Sequence, residues 1–188
     1  MRNFLDKFKI PTLLGLGVIF TGIAAGVFLT LKEQAYLSSA APSQTPQNIT
    51  ISNIEDSQIV ISWQTSSSVT GFVTFGQNSP GEQTVLDDRE KVHQPHLIHY
   101  ITIKNLLPKT TYQYKIVSGK ITSNPANFTT ASLTNTQNEF GPVIGSVLDS
   151  KKPLDEGIAY LSLSGGVVQS SLIKNLGNFL ILVLRVLC

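Results

Sequence analysis

Cysteine is nearly missing: Cys188 is the single one, so no disulfide can close within the chain and no cysteine-based zinc site can be assembled. Charge is scarce as well. Only 14% of residues are Asp, Glu, Lys or Arg, against 41% hydrophobic, a balance too apolar for a disordered chain. The net charge of +2 is concentrated at the start, where Arg2, Lys7, Lys9 and Lys32 face only Asp6, a local +3 that leaves −1 for the rest. A body that close to neutral lacks the basic footprint of a nucleic-acid binder, which excludes nucleic acid as a partner. There is no Gly-x-Ser-x-Gly elbow, and Ser66, Ser67 and Ser68 have no base patterned beside them, so a serine nucleophile has no support. The sequence offers no catalytic residue and calls for no cofactor.

What is present begins with a long apolar run. From Ile10 to Leu31 there are 22 residues without a charge, bounded by Lys9 and Lys32. As a helix at about 1.5 Å per residue it would span roughly 33 Å, enough for a hydrocarbon core of about 30 Å. Pro11 suits its first turn, where the missing N–H breaks no bond. The cations on its N-terminal side predict residues 1–9 in the cytoplasm, a transmembrane helix over 10–31, contact with membrane lipid, and an exported remainder. The alternative is a signal peptide cleaved near Ser38-Ser39-Ala40-Ala41 and a secreted body; both readings export the body. Gly22 and Gly26 sit four apart, a spacing that lets two helices approach.

Residues 32–46 turn to Ser, Ala, Pro, Thr and Gln and read as a flexible linker. The period then changes to two. Ile49 and Ile51, then Ile59, Ile61 and Trp63, then Val73 and Phe75 alternate with polar neighbours; Leu97, His99, Ile101 and Ile103 share one face, as do Tyr112, Tyr114 and Ile116. Such runs, separated by turn clusters such as Asn78-Ser79-Pro80-Gly81, predict an antiparallel sandwich with one buried face per sheet, and about seven strands is the immunoglobulin-like number.

Trp63 at the end of the second strand, with Leu106-x-Pro108-x-Thr110-x-Tyr112 leading into a later one, resembles the fibronectin type III domain. The resemblance implies that Trp63 is the centre of the core and that Tyr112 forms a tyrosine corner, its hydroxyl bonded back to the backbone. More narrowly, Ile59-Val60-Ile61-Ser62-Trp63, Gly71-Phe72-Val73-Thr74-Phe75-Gly76 and His99-Tyr100-Ile101-Thr102-Ile103 resemble the N-terminal domain of purple acid phosphatases. In that family the chemistry belongs to a separate downstream metallophosphoesterase domain, whose Gly-Asp and Gly-Asn-His-Glu motifs do not occur here. The fold expected over 47–132 is therefore non-enzymatic.

After a polar linker at 133–140 the alternation restarts. Val143–Asp149, Ile158–Leu163 and Val167–Ile173 read as strands, with a tight turn at Asn175-Leu176-Gly177-Asn178 into a fourth. Gly145-x-Val147, Pro153-Leu154, Tyr160 and Gly177-x-Phe179 resemble the carboxypeptidase regulatory-like and collagen-adhesin B-type sandwich, with Leu176 where that family has Asp. Four strands are fewer than such sandwiches carry, so 141–188 is expected to be an incomplete, truncated domain with unpaired edges.

His93-x-x-His96-x-x-His99 is the one metal-like pattern. Pro95 and the strand period that follows place it on a loop and strand, with His96 and His99 on opposite faces. With no carboxylate among them, surface histidines and one packed strand histidine are the plainer reading. Asp87-Asp88-Arg89-Glu90-Lys91 mixes signs and reads as a solvated loop rather than a calcium site. The chain is thus expected to be an all-β, single-pass cell-surface protein whose modules serve adhesion, presentation or spacing, with an extracellular protein or glycan as ligand. The alternative is the accessory N-terminal part of an exported hydrolase.

Overall fold

The computed structural model describes residues 15, 17–27, 42–89, 94–133, 139–173 and 176–185. It divides into two units, 1–40 and 41–188. In the first, residues 17–27 are helical, with Val18, Ile19, Phe20 and Ile23 exposed and the Thr21 hydroxyl donating to the Gly17 carbonyl (2.7 Å). Among the described residues no helix is long and apolar enough to cross a membrane. The rest of the apolar run, at 10–14, 16 and 28–31, lies outside them, as do residues 1–9.

The second unit is all β. After a short 3-10 turn at Pro42–Gln44, its strands are β1 (Gln47–Ser52), β2 (Gln58–Val69), β3 (Gly71–Gly76), β4 (Gln83–Leu86), β5 (His96–Lys104), β6 (Thr111–Ser118), β7 (Ile121–Thr122) and β8 (Ala126–Thr129). Then follow β9 (Glu139–Ser146), β10 (Leu148–Asp149), β11 (Lys152–Pro153), β12 (Gly157–Leu161), β13 (Gln169–Ile173) and β14 (Asn178–Arg185). One sheet has the order β1-β2-β5; the other runs β4-β3-β6-β7, with β8 also paired to β6.

Between these two sheets the alternating side chains meet. Ile59, Ile61 and Trp63 of β2, Ile101 and Ile103 of β5, Val73 and Phe75 of β3, and Tyr112, Tyr114 and Ile116 of β6 form one buried cluster with Leu106 and Phe128. Each such side chain contributes about 1.5–3 kcal/mol by leaving water. Tyr112 packs on Phe128, rings stacked at 5.4 Å, and on Phe75 at 6.1 Å. Its hydroxyl accepts the Leu107 N–H (2.9 Å), closing the turn in which Lys109 sits at φ 48°, the Thr110 hydroxyl donates to the Pro108 carbonyl (2.9 Å), and the Thr110 N–H donates to Thr130 Oγ1 (2.9 Å).

The later strands pair two by two: β9 with β14, β10 with β11, and β12 with β13. The stretch read as one strand over 143–149 is broken at Val147, because Val147 uses its backbone to bond Gly177 (2.9 Å) and Leu154 (3.0 Å). Leu176 (φ 66°) and Gly177 (φ 75°) carry the turn before β14. A Cβ on Gly177 would lie 2.3 Å from the Val147 carbonyl oxygen, so only glycine fits, whereas Leu176 holds a left-handed backbone that bulky residues resist. Of the polar linker, residues 134–138 lie outside the described residues.

Replacing Tyr112 with Phe keeps the ring stack and orphans the Leu107 N–H. Urea denaturation of Y112F is expected to show a loss of about 1–2 kcal/mol; an unchanged midpoint would mean that the corner contributes only packing.

Candidate functional site

The sheet β1-β2-β5 is covered on its outer face as well, around Val60, Ser62 and Tyr100. On the side away from the core, Val60 and Tyr100 pack against Leu172 of β13 and Ile158 of β12, and Ser62 is fully buried. The alternation predicts a solvated outer face here; the β12-β13 hairpin covers it instead.

Hydrogen bonds sew this seam. Asn53, just after β1 and at φ 49°, donates its backbone N–H to Val168 O (2.9 Å). Its side chain accepts from Ser170 N (2.6 Å) and donates to Ser170 O (2.9 Å), imitating a neighbouring strand. The hydroxyls of Ser52 and Ser170 are bonded at 2.6 Å, Tyr100 Oη donates to Ser170 O (3.1 Å), and the hydroxyls of Ser62 and Tyr160 are bonded at 2.8 Å.

At one end of the seam lies a charged cluster. Asp87, expected on a solvated loop, is 2% exposed. Four donors converge on it: Arg89 Nε (2.8 Å), Arg89 Nη2 (2.9 Å), Arg89 N (3.1 Å) and Tyr100 N (3.0 Å). Burial works to raise its pKa, but the Arg89 and Tyr100 hydrogen bonds and the Arg89 charge outweigh it and hold the carboxyl below its ordinary 3.8. Arg89 also donates to the Ile98 carbonyl and, through Nη1, to Glu156 Oε1 (2.7 Å) just before β12. Burial opposes the Arg89 charge, yet bonds to Asp87 and Glu156 raise its pKa. Asp88 is turned away, accepting from Thr102 N (2.7 Å) and the Thr102 hydroxyl. Glu90 and Lys91 lie outside the described residues.

His93 lies outside the described residues too. The rings of His96 and His99 meet edge to face at 6.5 Å. His96 Nδ1 is 3.8 Å from Glu156 Oε1. His99 is fully buried, stacked on Trp63 at 4.6 Å, with Nδ1 4.0 Å from Asp87. Neither His99 nitrogen, nor Trp63 Nε1, has a hydrogen-bond partner among the described residues. Burial pushes the His99 pKa down to about 4, so the ring is neutral in the fold. Gly71 makes room for it, since a Cβ there would lie 2.5 Å from His99 Nδ1. Among the described residues no three His, Cys, Asp or Glu side chains gather as a metal site.

Two clefts flank the seam, of about 280 Å³ beside Asn53, Asp88, Ser170 and Leu180 and about 310 Å³ beside Asn48, Thr50, Gln64 and Tyr160. Both mix polar and apolar residues, with Leu172 and Leu180 in the first and Trp63 and Ile158 in the second. Asn53, Arg89, Glu156 and Ser170 escape sequence reasoning, because each acts across a long chain separation. The one signal is Val60 and Tyr100, apolar residues on a face that alternation assigns to water.

Against known proteins, residues 46–130 match the family model of the purple acid phosphatase N-terminal domain. The match is to that non-catalytic domain alone. Solved structures with a similar fold include a computationally redesigned β-sandwich protein, 35% identical, covering 47% of this chain and 96% of its own with a TM-score of 0.37. The sensor domain of the anti-sigma factor RsgI4 from Pseudobacteroides cellulosolvens is 20% identical, covering 50% and 100% with a TM-score of 0.38. No curated protein matches the chain.

Two outcomes follow from the seam. Asn53→Ala removes three side-chain bonds from a residue with φ 49°, and is expected to cost about 2–3 kcal/mol in urea melts and to speed protease cleavage within 139–185. His99 binds its proton near pH 6.5 when unfolded and only near pH 4 when folded. Stability is therefore full above the unfolded value and falls by about 3 kcal/mol as pH drops through that window. His99→Phe, which preserves the stack on Trp63, should flatten the slope between those pH values; an identical slope would assign it to other groups.

Proposed function

We propose that this is a non-catalytic β-sandwich protein, tethered to a membrane through its N-terminal apolar run, that holds a stiff, exported surface for adhesion, presentation or spacing. The observation that carries the reading is the family match: residues 46–130 correspond to a non-catalytic domain. The tether rests on the 22 uncharged residues of Ile10–Leu31 with three cations before them, and the export on the side where those cations lie. The stiffness rests on the hydrogen bonds and apolar cluster that join 139–185 to the sandwich. Surface loops and the two clefts would supply contact with an extracellular protein or glycan.

A second reading is favoured by the identity of the matched family: the sandwich serves as the accessory part of an exported phosphatase-like hydrolase. Reading the coding sequence past codon 188 separates the two, since metallophosphoesterase motifs there favour the accessory role and further β modules favour presentation.

The full chain is expected to stay with membranes through alkaline carbonate extraction and to be cleaved by protease added outside intact cells. Release by carbonate, or protection from protease, overturns the tethered reading. Residues 42–188, purified and supplied with divalent metals, should leave a phosphate monoester intact. Turnover abolished by a chelator overturns the non-catalytic reading.

A further inference from the structure

Between the start of β1 and the end of β12 the outer face of the sheet stays open. Trp63 turns its ring into the core, so its neighbour Gln64 points the other way, where it is exposed. Thr50 is paired with Ser62, and Ile98 with Gln64, which puts both on that same face. Together with Asn48, Ile158 and Tyr160 they line the cleft of about 310 Å³, a size at the lower end for small-molecule sites. A bulge shapes its rim: β1 advances three residues from Gln47 to Thr50 while β2 advances two from Gln64 to Ser62, and Asn48 takes a left-handed step there at φ 51°. A bulge re-aims a side chain and interrupts the strand edge, so the cleft is poorly suited to an extended peptide that adds as a further strand.

Tyr160 is the platform of this cleft. Its residue is 45% exposed, yet its hydroxyl is bonded to Ser62 Oγ (2.8 Å) and its backbone is paired with Ser170, the residue that Asn53 holds. An exposed aromatic ring fixed in this way offers an apolar contact with little left to order on binding. Around it stand groups that give and take hydrogen bonds. The side-chain amides of Asn48 and Gln64 have no partner among the described residues, and the Thr50 hydroxyl donates to the Asn48 carbonyl (3.2 Å) while keeping its acceptor sites. Of the described residues that line the cleft none is charged. An ionic ligand finds no counter-charge there, and a wholly apolar one leaves the amides unpaired. The ring of a neutral sugar meets both demands, with a C–H face for Tyr160 and hydroxyls around its edge. We propose that this cleft is a binding site for an uncharged pyranose of a glycan, stacked on Tyr160 and hydrogen-bonded by Asn48, Thr50 and Gln64. The site rests on the presentation reading above and narrows it to one place and one ligand class.

Titration of the full chain, kept in a detergent without a sugar headgroup, tests this against neutral oligosaccharides of glucose, mannose, galactose and N-acetylglucosamine. Calorimetry reads the affinity and proton NMR of the sugar reads the stack. At least one sugar is expected to bind saturably with a Kd on the order of 1 mM or tighter, its ring protons shifted upfield by the Tyr160 face. Tyr160→Ala should weaken that binding about tenfold and remove the shift, whereas Tyr160→Phe, which keeps the ring, should retain both. Gln64→Ala, at an exposed position, should weaken binding by about fivefold and leave the shift of the bound sugar in place; it decides the matter if a urea melt shows Tyr160→Ala to be unfolded. The proposal is overturned if none of the neutral sugars binds, if folded Tyr160→Ala binds as the parent chain does, if Gln64→Ala binds unchanged, or if only a uronic-acid glycan binds. These outcomes leave the tether and the export untouched, which carbonate extraction and external protease read separately.

Discussion

A β-sheet that buries both of its faces leaves no room for a merely polar surface, and β1-β2-β5 is such a sheet around Val60, Ser62 and Tyr100. Its inner face carries Ile59, Ile61, Trp63, Ile101 and Ile103 into the core of the sandwich. Its outer face carries Val60 and Tyr100 into contact with Leu172 and Ile158. Once the second face is covered, every polar group on it needs a partner within the protein, because the water that would have served an open face is excluded. Ser52, Ser62, Asn53 and the Tyr100 hydroxyl answer that demand through Ser170 and Tyr160. The hydrogen bonds of the seam are thus a consequence of the apolar contact, and they in turn set where the hairpin can sit.

The same exclusion of water shapes the charges. Asp87 is tolerable inside because Arg89 arrives with three N–H groups and Tyr100 with a fourth. Arg89 is tolerable because Glu156 and the Ile98 carbonyl take two more of its donors. His99 follows the other route, giving up its charge to burial, its ring flat on Trp63 and its nitrogens without a hydrogen-bond partner among the described residues. One end of the seam is therefore held by paired charges and the middle by neutral polar groups.

The sandwich was legible because its signal is local. Alternation at Ile59-Ile61-Trp63 and Tyr112-Tyr114-Ile116 marks strands without knowledge of the partners, and Leu106 to Tyr112 marks a turn within seven residues. The seam was illegible because its signal is not local: Asn53 and Ser170 are 117 residues apart and Arg89 and Glu156 are 67 apart. No pattern of either alone announces the other. The mixed charges at Asp87–Lys91 misled for the same reason, since burial of Asp87 depends on β5 and on donors brought by the fold. The strand period assigns His96 and His99 to opposite faces and gives no sign that their rings meet edge to face.

The covered face also means that the unit of inheritance differs from the unit of resemblance. Family likeness runs over 46–130, but a gene segment cut there and joined to a new neighbour would bring along the Val60–Tyr100 face without the hairpin that fits it. Recombination at that boundary succeeds only if the incoming partner offers something like Leu172 and Ser170, or if Val60 and Tyr100 change with it.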